Sequence, residues 1–163
     1  MKATLANSLL APPVRIALAL LAAGAASACA PNGLEARRTE ARSLAAHAGW
    51  ERVAIDSGRF MLIAHRPHPV QRVERLSVYI EGDGLAWLNS SEPSRDPTPL
   101  DPVALGLAMR HPSGAAVHLA RPCQFTVDME RRNCSNKYWT SHRFAPEVVD
   151  SIDHALDRIK ADH

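Results

Sequence analysis

Residues Leu76 to Gly84, LSVYIEGDG, join a short apolar run to a glycine-flanked acidic loop, and no other stretch narrows the fold as far. Leu76, Val78, Tyr79 and Ile80 are nearly continuous in hydrophobicity, with β-branched and aromatic members. That is the composition of a strand buried on both faces of a mainly parallel sheet. Gly82 and Gly84 carry no Cβ, so the backbone there can turn sharply and approach a ligand. Ligands of open α/β sheets bind beyond the carboxyl ends of the strands, which is where Gly82, Asp83 and Gly84 fall.

The N-terminus reads as a cleaved export signal over residues 1–28. Lys2 and Arg15 precede the apolar run Ile16 to Ala26, and Ala26, Ser27 and Ala28 stand directly before Cys29. The run is short for a bilayer span, which needs roughly 20 apolar residues, so a signal anchor is the weaker alternative. The site resembles that of a bacterial lipoprotein, which implies lipidation of Cys29 and membrane attachment through it. That family usually carries Leu three residues before the cysteine, where Ala26 stands here, so ordinary signal-peptidase cleavage stays open. Either route predicts an exported protein of the bacterial envelope, lipid-anchored or periplasmic.

Setting the signal aside changes the charge. The 19 Lys and Arg of the 163-residue chain fall to 17 without Lys2 and Arg15, equal to the 17 Asp and Glu. With no net basicity and no basic stripe interleaved with aromatics, nothing points to nucleic acid. The remaining 135 residues suit one modest domain. If Cys29 is lipidated or tethered, Cys123 and Cys134 are left as a pair in an oxidising compartment, and a disulfide is the preferred reading. Zinc is a poor alternative, because no second cysteine pair exists and the spacing is not that of a knuckle. His65 and His68, beside Pro67 and Pro69, read as solvated loop residues at a strand exit.

The order of elements is α/β. Asn32 and Glu35 form a capping-box pattern before a helix over 33–48, with Leu34, Ala41, Leu44, Ala45 and Ala48 on one face and Gly49 as the stop. Arg52 to Asp56 and Arg59 to His65 read as hairpin strands about Ser57-Gly58. The strand 76–80 follows, then a helix from Asp101 as cap and Pro102 as first turn to about Arg110, then a strand at 115–120; the two strands and helix read as a βαβ crossover. Pro146 opens a last helix whose apolar face is Val148, Val149, Ile152, Ala155, Leu156 and Ile159. A helix of this kind with no strand after it leaves an open sheet edge that an oligomer or partner would cover.

YIEGDG (79–84), DPTP (96–99), ARPCQF (120–125), YWT (138–140) and RFAPEVVDSID (143–153) together resemble the N-terminal half of a group of exported bacterial α/β-hydrolase-fold proteins, over roughly Gly49 to Lys160. The resemblance implies a partial α/β-hydrolase-like sheet, an N-terminal hairpin plus parallel strands with flanking helices. The implied division is a signal (1–28), a tether and helix (29–48) and an incomplete hydrolase-like domain (49–163). In that fold the next strand and helix carry the nucleophile elbow GxSxG, with the acid and histidine later still. No GxSxG occurs in residues 1–163, so the expectation is a chain cut before its nucleophile, with no catalytic residue and no cofactor. Gly82, Asp83 and Gly84 map onto the loop that supplies an oxyanion-hole amide, worth about 3 kcal/mol in a complete enzyme.

Other candidates carry less. Trp87, Tyr138 and Trp139 line an acyl or aromatic pocket or pack under the disulfide loop. Asp83, Asp96 and Asp101 lack a calcium-loop pattern and suit turns and caps. Ser141 and His142 are sequence neighbours, which rarely face each other as a catalytic pair does. Two readings follow: the oxyanion side of a serine esterase or related acyl hydrolase acting on a small acyl or ester substrate, or a non-catalytic exported binding or structural module. A metal-dependent hydrolase lacks a ligand set.

Overall fold

The computed structural model describes residues 33–112 and 115–163; residues 1–28, read above as an export signal, and Cys29 and Asn32 lie outside them. Helix α1 (Leu34–His47) precedes the hairpin β1 (Trp50–Asp56) and β2 (Met61–Pro67), then β3 (Leu76–Ile80), α2 (Val103–Met109), β4 (Ala115–Leu119) and α3 (Pro146–Asp162). The four strands form one open mixed sheet in the order β1-β2-β4-β3. The β1–β2 and β2–β4 pairs are antiparallel and β3–β4 is parallel, with α2 as the crossover.

The pleat divides the core. Leu62, Ala64, Val117 and Leu119 point to the α3 side and meet Ala155 and Ile159, with Ile152 and Leu156 partly buried beside them. Ile63 and Phe125 point to the other side, where Ala41 of α1 and Leu105 of α2 pack. Alternate residues of one strand thus feed opposite cores, which explains why Leu62, Ile63 and Ala64 of β2 are all apolar and buried. A third cluster gathers Phe60, Ala86, Cys123, Tyr138, Trp139 and Val148.

Several local expectations change. The hairpin turn spans four residues, because Asp56 pairs with Met61 and Phe60 leaves the strand to be wholly buried against Tyr138. Ser57 secures that turn by donating from N–H and Oγ to the Phe60 carbonyl. Helix α1 is capped by Gly33 and buries Arg37, Arg38, Ala41 and Ala45, while Leu44 is exposed. The stripe turns because the arginine heads reach the loop at Asp96 and Thr98. The helix packs on β1 and α2, within one compact unit over Asn32–His163. Asp101 does not cap α2, whose N-cap is Pro102. Val149 on α3 is exposed, since Val148, Ser151, Ala155 and Ile159 are the residues turned inward.

Candidate functional site

Strand β3 delivers the glycine loop to one end of the sheet, and three distant segments hold it there. Gln124 donates from Nε2 to the Gly82 carbonyl at 2.8 Å. The Leu85 N–H donates to the Pro97 carbonyl at 3.2 Å. Asp83 pairs with Arg121 and, at 3.5 Å, with Arg143. Gly84 has φ +64°, and a Cβ there would collide with the Pro97 carbonyl. Only glycine fits both the left-handed backbone and the close approach. The segments YIEGDG, DPTP and ARPCQF therefore converge on one site.

The 120–126 segment is itself bent to this purpose. Cys123 (φ 73°) and Phe125 (φ 57°) adopt left-handed backbone, uncommon for side chains of this kind. Cys123 and Cys134 stand at disulfide distance, with Cα atoms 5.7 Å apart. Thr98 Oγ1 accepts the Phe125 N–H at 2.9 Å, and Thr126 Oγ donates to the Cys123 carbonyl at 3.1 Å.

A pocket of about 440 Å³ opens beside the loop. Glu81, Gly82 and Gly84 form one side, and Leu85, Pro99, Leu100, Val103, Ala104 and Leu107 supply most of the wall, with Asp101 also lining it. The Gly82 N–H donates to Glu81 Oε1 at 3.1 Å. Among the described residues no acceptor stands against the Asp83 or Gly84 N–H.

Behind this wall a polar line runs across one face of the sheet. Glu81 Oε2 lies 3.2 Å from His118 Nε2, and His118 Nδ1 lies 3.1 Å from His65 Nδ1. All three residues are buried, and the Phe125 ring meets both imidazoles edge-on. Burial, reinforced by the nearby charges of His118, Arg52 and Arg42, drives the His65 pKa down to about 3. Burial pushes the Glu81 pKa up, but hydrogen bonds from His118 and the Gly82 and Ala104 amides outweigh it, so the carboxyl lies below its ordinary value and is ionised at neutral pH.

The placements of the sequence candidates differ. Gly82, Asp83 and Gly84 stand together, Gly82 and Gly84 at the pocket and Asp83 turned to the arginines. Trp87 is half-exposed in a small bridge with Pro93, and Tyr138 and Trp139 are buried beneath the disulfide; none of the three lines the pocket. His68 is exposed as expected, but His65 is buried, because the β2 register carries it opposite His118. Ser141 Oγ lies 2.8 Å from His142 Nδ1 on the surface, and among the described residues no carboxylate touches that histidine. Asp96 caps its turn at the Thr98 N–H and pairs with Arg38 and Arg131. The sequence pattern singled out neither Glu81 nor His118 and gave His65 as a solvated loop residue; the signal present was two histidines in strand runs and an acid directly after one. Comparison of the chain with protein-family models, curated proteins and solved structures found no match in any of the three.

Proposed function

We propose that the pocket beside the glycine loop binds a small acyl or ester group, as the oxyanion side of an α/β-hydrolase-like site. The observation that carries this reading is an apolar pocket ending at a strand-end glycine loop whose Gly84 N–H has no protein acceptor among the described residues. That loop joins β3 to the crossover helix, the position from which this fold draws an oxyanion amide. Leu85, Leu100, Val103 and Leu107 suit an alkyl chain, and the Gly84 amide suits a carbonyl oxygen. The ionised Glu81 favours a neutral ester over a free carboxylate in the same place. Without GxSxG the chain binds and polarises an ester but does not cleave it. The setting proposed is the bacterial envelope, reached through the signal and held by a lipid on Cys29 or free in the periplasm.

The test is an amide and methyl NMR titration of the 163-residue chain with ethyl hexanoate. Shifts are expected at Gly82, Asp83 and Gly84 and at the methyls of Leu85, Leu100, Val103 and Leu107, with hexanoate weaker at pH 7. Shifts confined to other surfaces, or none, would sink the reading. A fluorophosphonate probe is expected to leave every serine unlabelled, and labelling would overturn the absence of cleavage.

One observation favours the second reading, a non-catalytic module. Among the described residues β3 pairs only with β4, and Ile80 on it is 42% exposed. A partner or second copy covering that edge would answer the liability of an open strand. A monomer at all concentrations in sedimentation, with no change on mutating Ile80, counts against self-association at this edge.

A further inference from the structure

We infer that Glu81 and His118 are positioning residues for the glycine loop: the carboxylate, oriented by His118 and His65, holds the loop and α2 at the separation that makes the pocket. Its functional consequence rests on the reading of that pocket as a ligand site; the positioning itself does not.

The geometry is a four-way tie. The Glu81 N–H donates to the Leu119 carbonyl at 2.9 Å, fixing the residue to β4 as β3 ends. Its Oε1 accepts from the Gly82 N–H at 3.1 Å and from the Ala104 N–H at 3.4 Å, reaching both the loop and the first turn of α2. Helix α2 has no capping side chain of its own, so Glu81 caps it from across the site. Its Oε2 faces His118 Nε2, which must carry hydrogen to serve an anion. His118 Nδ1 then meets His65 Nδ1, and the hydrogen between those two nitrogens locks the ring orientation.

The groups facing this line are few. Gly82 and Ala104 meet Glu81 from the loop and α2, Asp101 lies on the pocket wall, and Arg52 of β1 and Arg42 of α1 act on His65. A line of three buried ionisable groups costs desolvation that apolar residues of similar volume avoid. Packing alone gives no reason for a carboxylate that touches a loop amide and a helix amide at once. Holding Gly82 with Glu81 also leaves Asp83 and Gly84 as the amides free for a ligand.

Two measurements decide this. In the unmodified chain, the Gly82 and Ala104 amide shifts are expected to titrate with the Glu81 carboxyl carbon; amides that ignore that titration overturn the inference. Next, His118→Leu removes the donor while His118→Gln keeps an N–H near the Nε2 position. With His118→Leu, hydrogen exchange at Gly82 and Ala104 should quicken about tenfold or more, and ethyl hexanoate binding should weaken similarly, with His118→Gln recovering much of both. Exchange unchanged within about twofold in His118→Leu would overturn the positioning role. Should that variant not fold, the titration of the unmodified chain decides. If ethyl hexanoate fails to bind the unmodified chain, the ligand-site reading falls while the amide data still judge the tie.

Discussion

His65 and His118 face each other across β2 and β4 with their Nδ1 atoms 3.1 Å apart, both buried, and only one hydrogen fits between them. Charging His65 would place a cation in this buried position, near the charges of His118, Arg52 and Arg42. The folded protein therefore refuses the proton that an unfolded histidine accepts, which is the physical content of a His65 pKa near 3.

Stability should fall in mild acid. His65 moves from an ordinary 6.5 to about 3, so between those values the unfolded chain binds a proton that the folded chain does not. Stability is then complete above pH 6.5 and declines as pH falls toward 3, by up to about 1.4 kcal/mol per pH unit. Glu81, whose pKa is lowered from 4.5, adds its own loss only below that value. Urea midpoints between pH 6.5 and 4.5 isolate the histidine, and His65→Phe should flatten that segment.

Glu81→Gln should destabilise the fold by about 2 kcal/mol, because a carboxylate that accepts three hydrogen bonds becomes an amide whose NH₂ must face a donor. Urea unfolding at pH 7 measures it. An unchanged midpoint would contradict the arrangement.

The glycines of the 82–84 loop and of the hairpin turn should separate by position. Gly84→Ala meets the Pro97 carbonyl and a φ of +64°, and should cost roughly 3 kcal/mol. Gly58→Ala faces open space and should cost only the left-handed backbone, about 1 kcal/mol. Gly82→Ala, with neither obstacle, should keep its thermal midpoint.

Reducing the Cys123–Cys134 bridge should lower stability by about 3 kcal/mol in the chain-entropy account. Thermal unfolding with and without reductant, and of Cys123→Ser with Cys134→Ser, measures it. The 120–126 segment should lose order first, since Cys123 and Phe125 hold left-handed backbone on either side of Gln124.

Much of the frame was legible because local pattern and tertiary role agree. The strand at 76–80 has its expected bounds, and Pro146 opens α3 at the first turn. Cys123 and Cys134 had no competing partner once Cys29 was set aside. The glycine loop was legible because a left-handed turn with no room for a Cβ demands glycine at Gly84.

What local pattern determines ends where a residue's surroundings come from other segments. Arg37 and Arg38 look like the wet side of a helix, and they are buried because Asp96 and the Thr98 carbonyl, some sixty positions away, receive them. Phe60 reads as a strand residue, and the cluster around Tyr138 draws it into a turn. Glu81, His118 and His65 read singly as a loop acid, a strand histidine and a solvated one. Only the register of β2, β4 and β3 stacks them on one face of the sheet. Sequence settles where chain geometry and hydrophobic period suffice; charge and hydrogen-bond partners depend on distances that exist only after the sheet has closed.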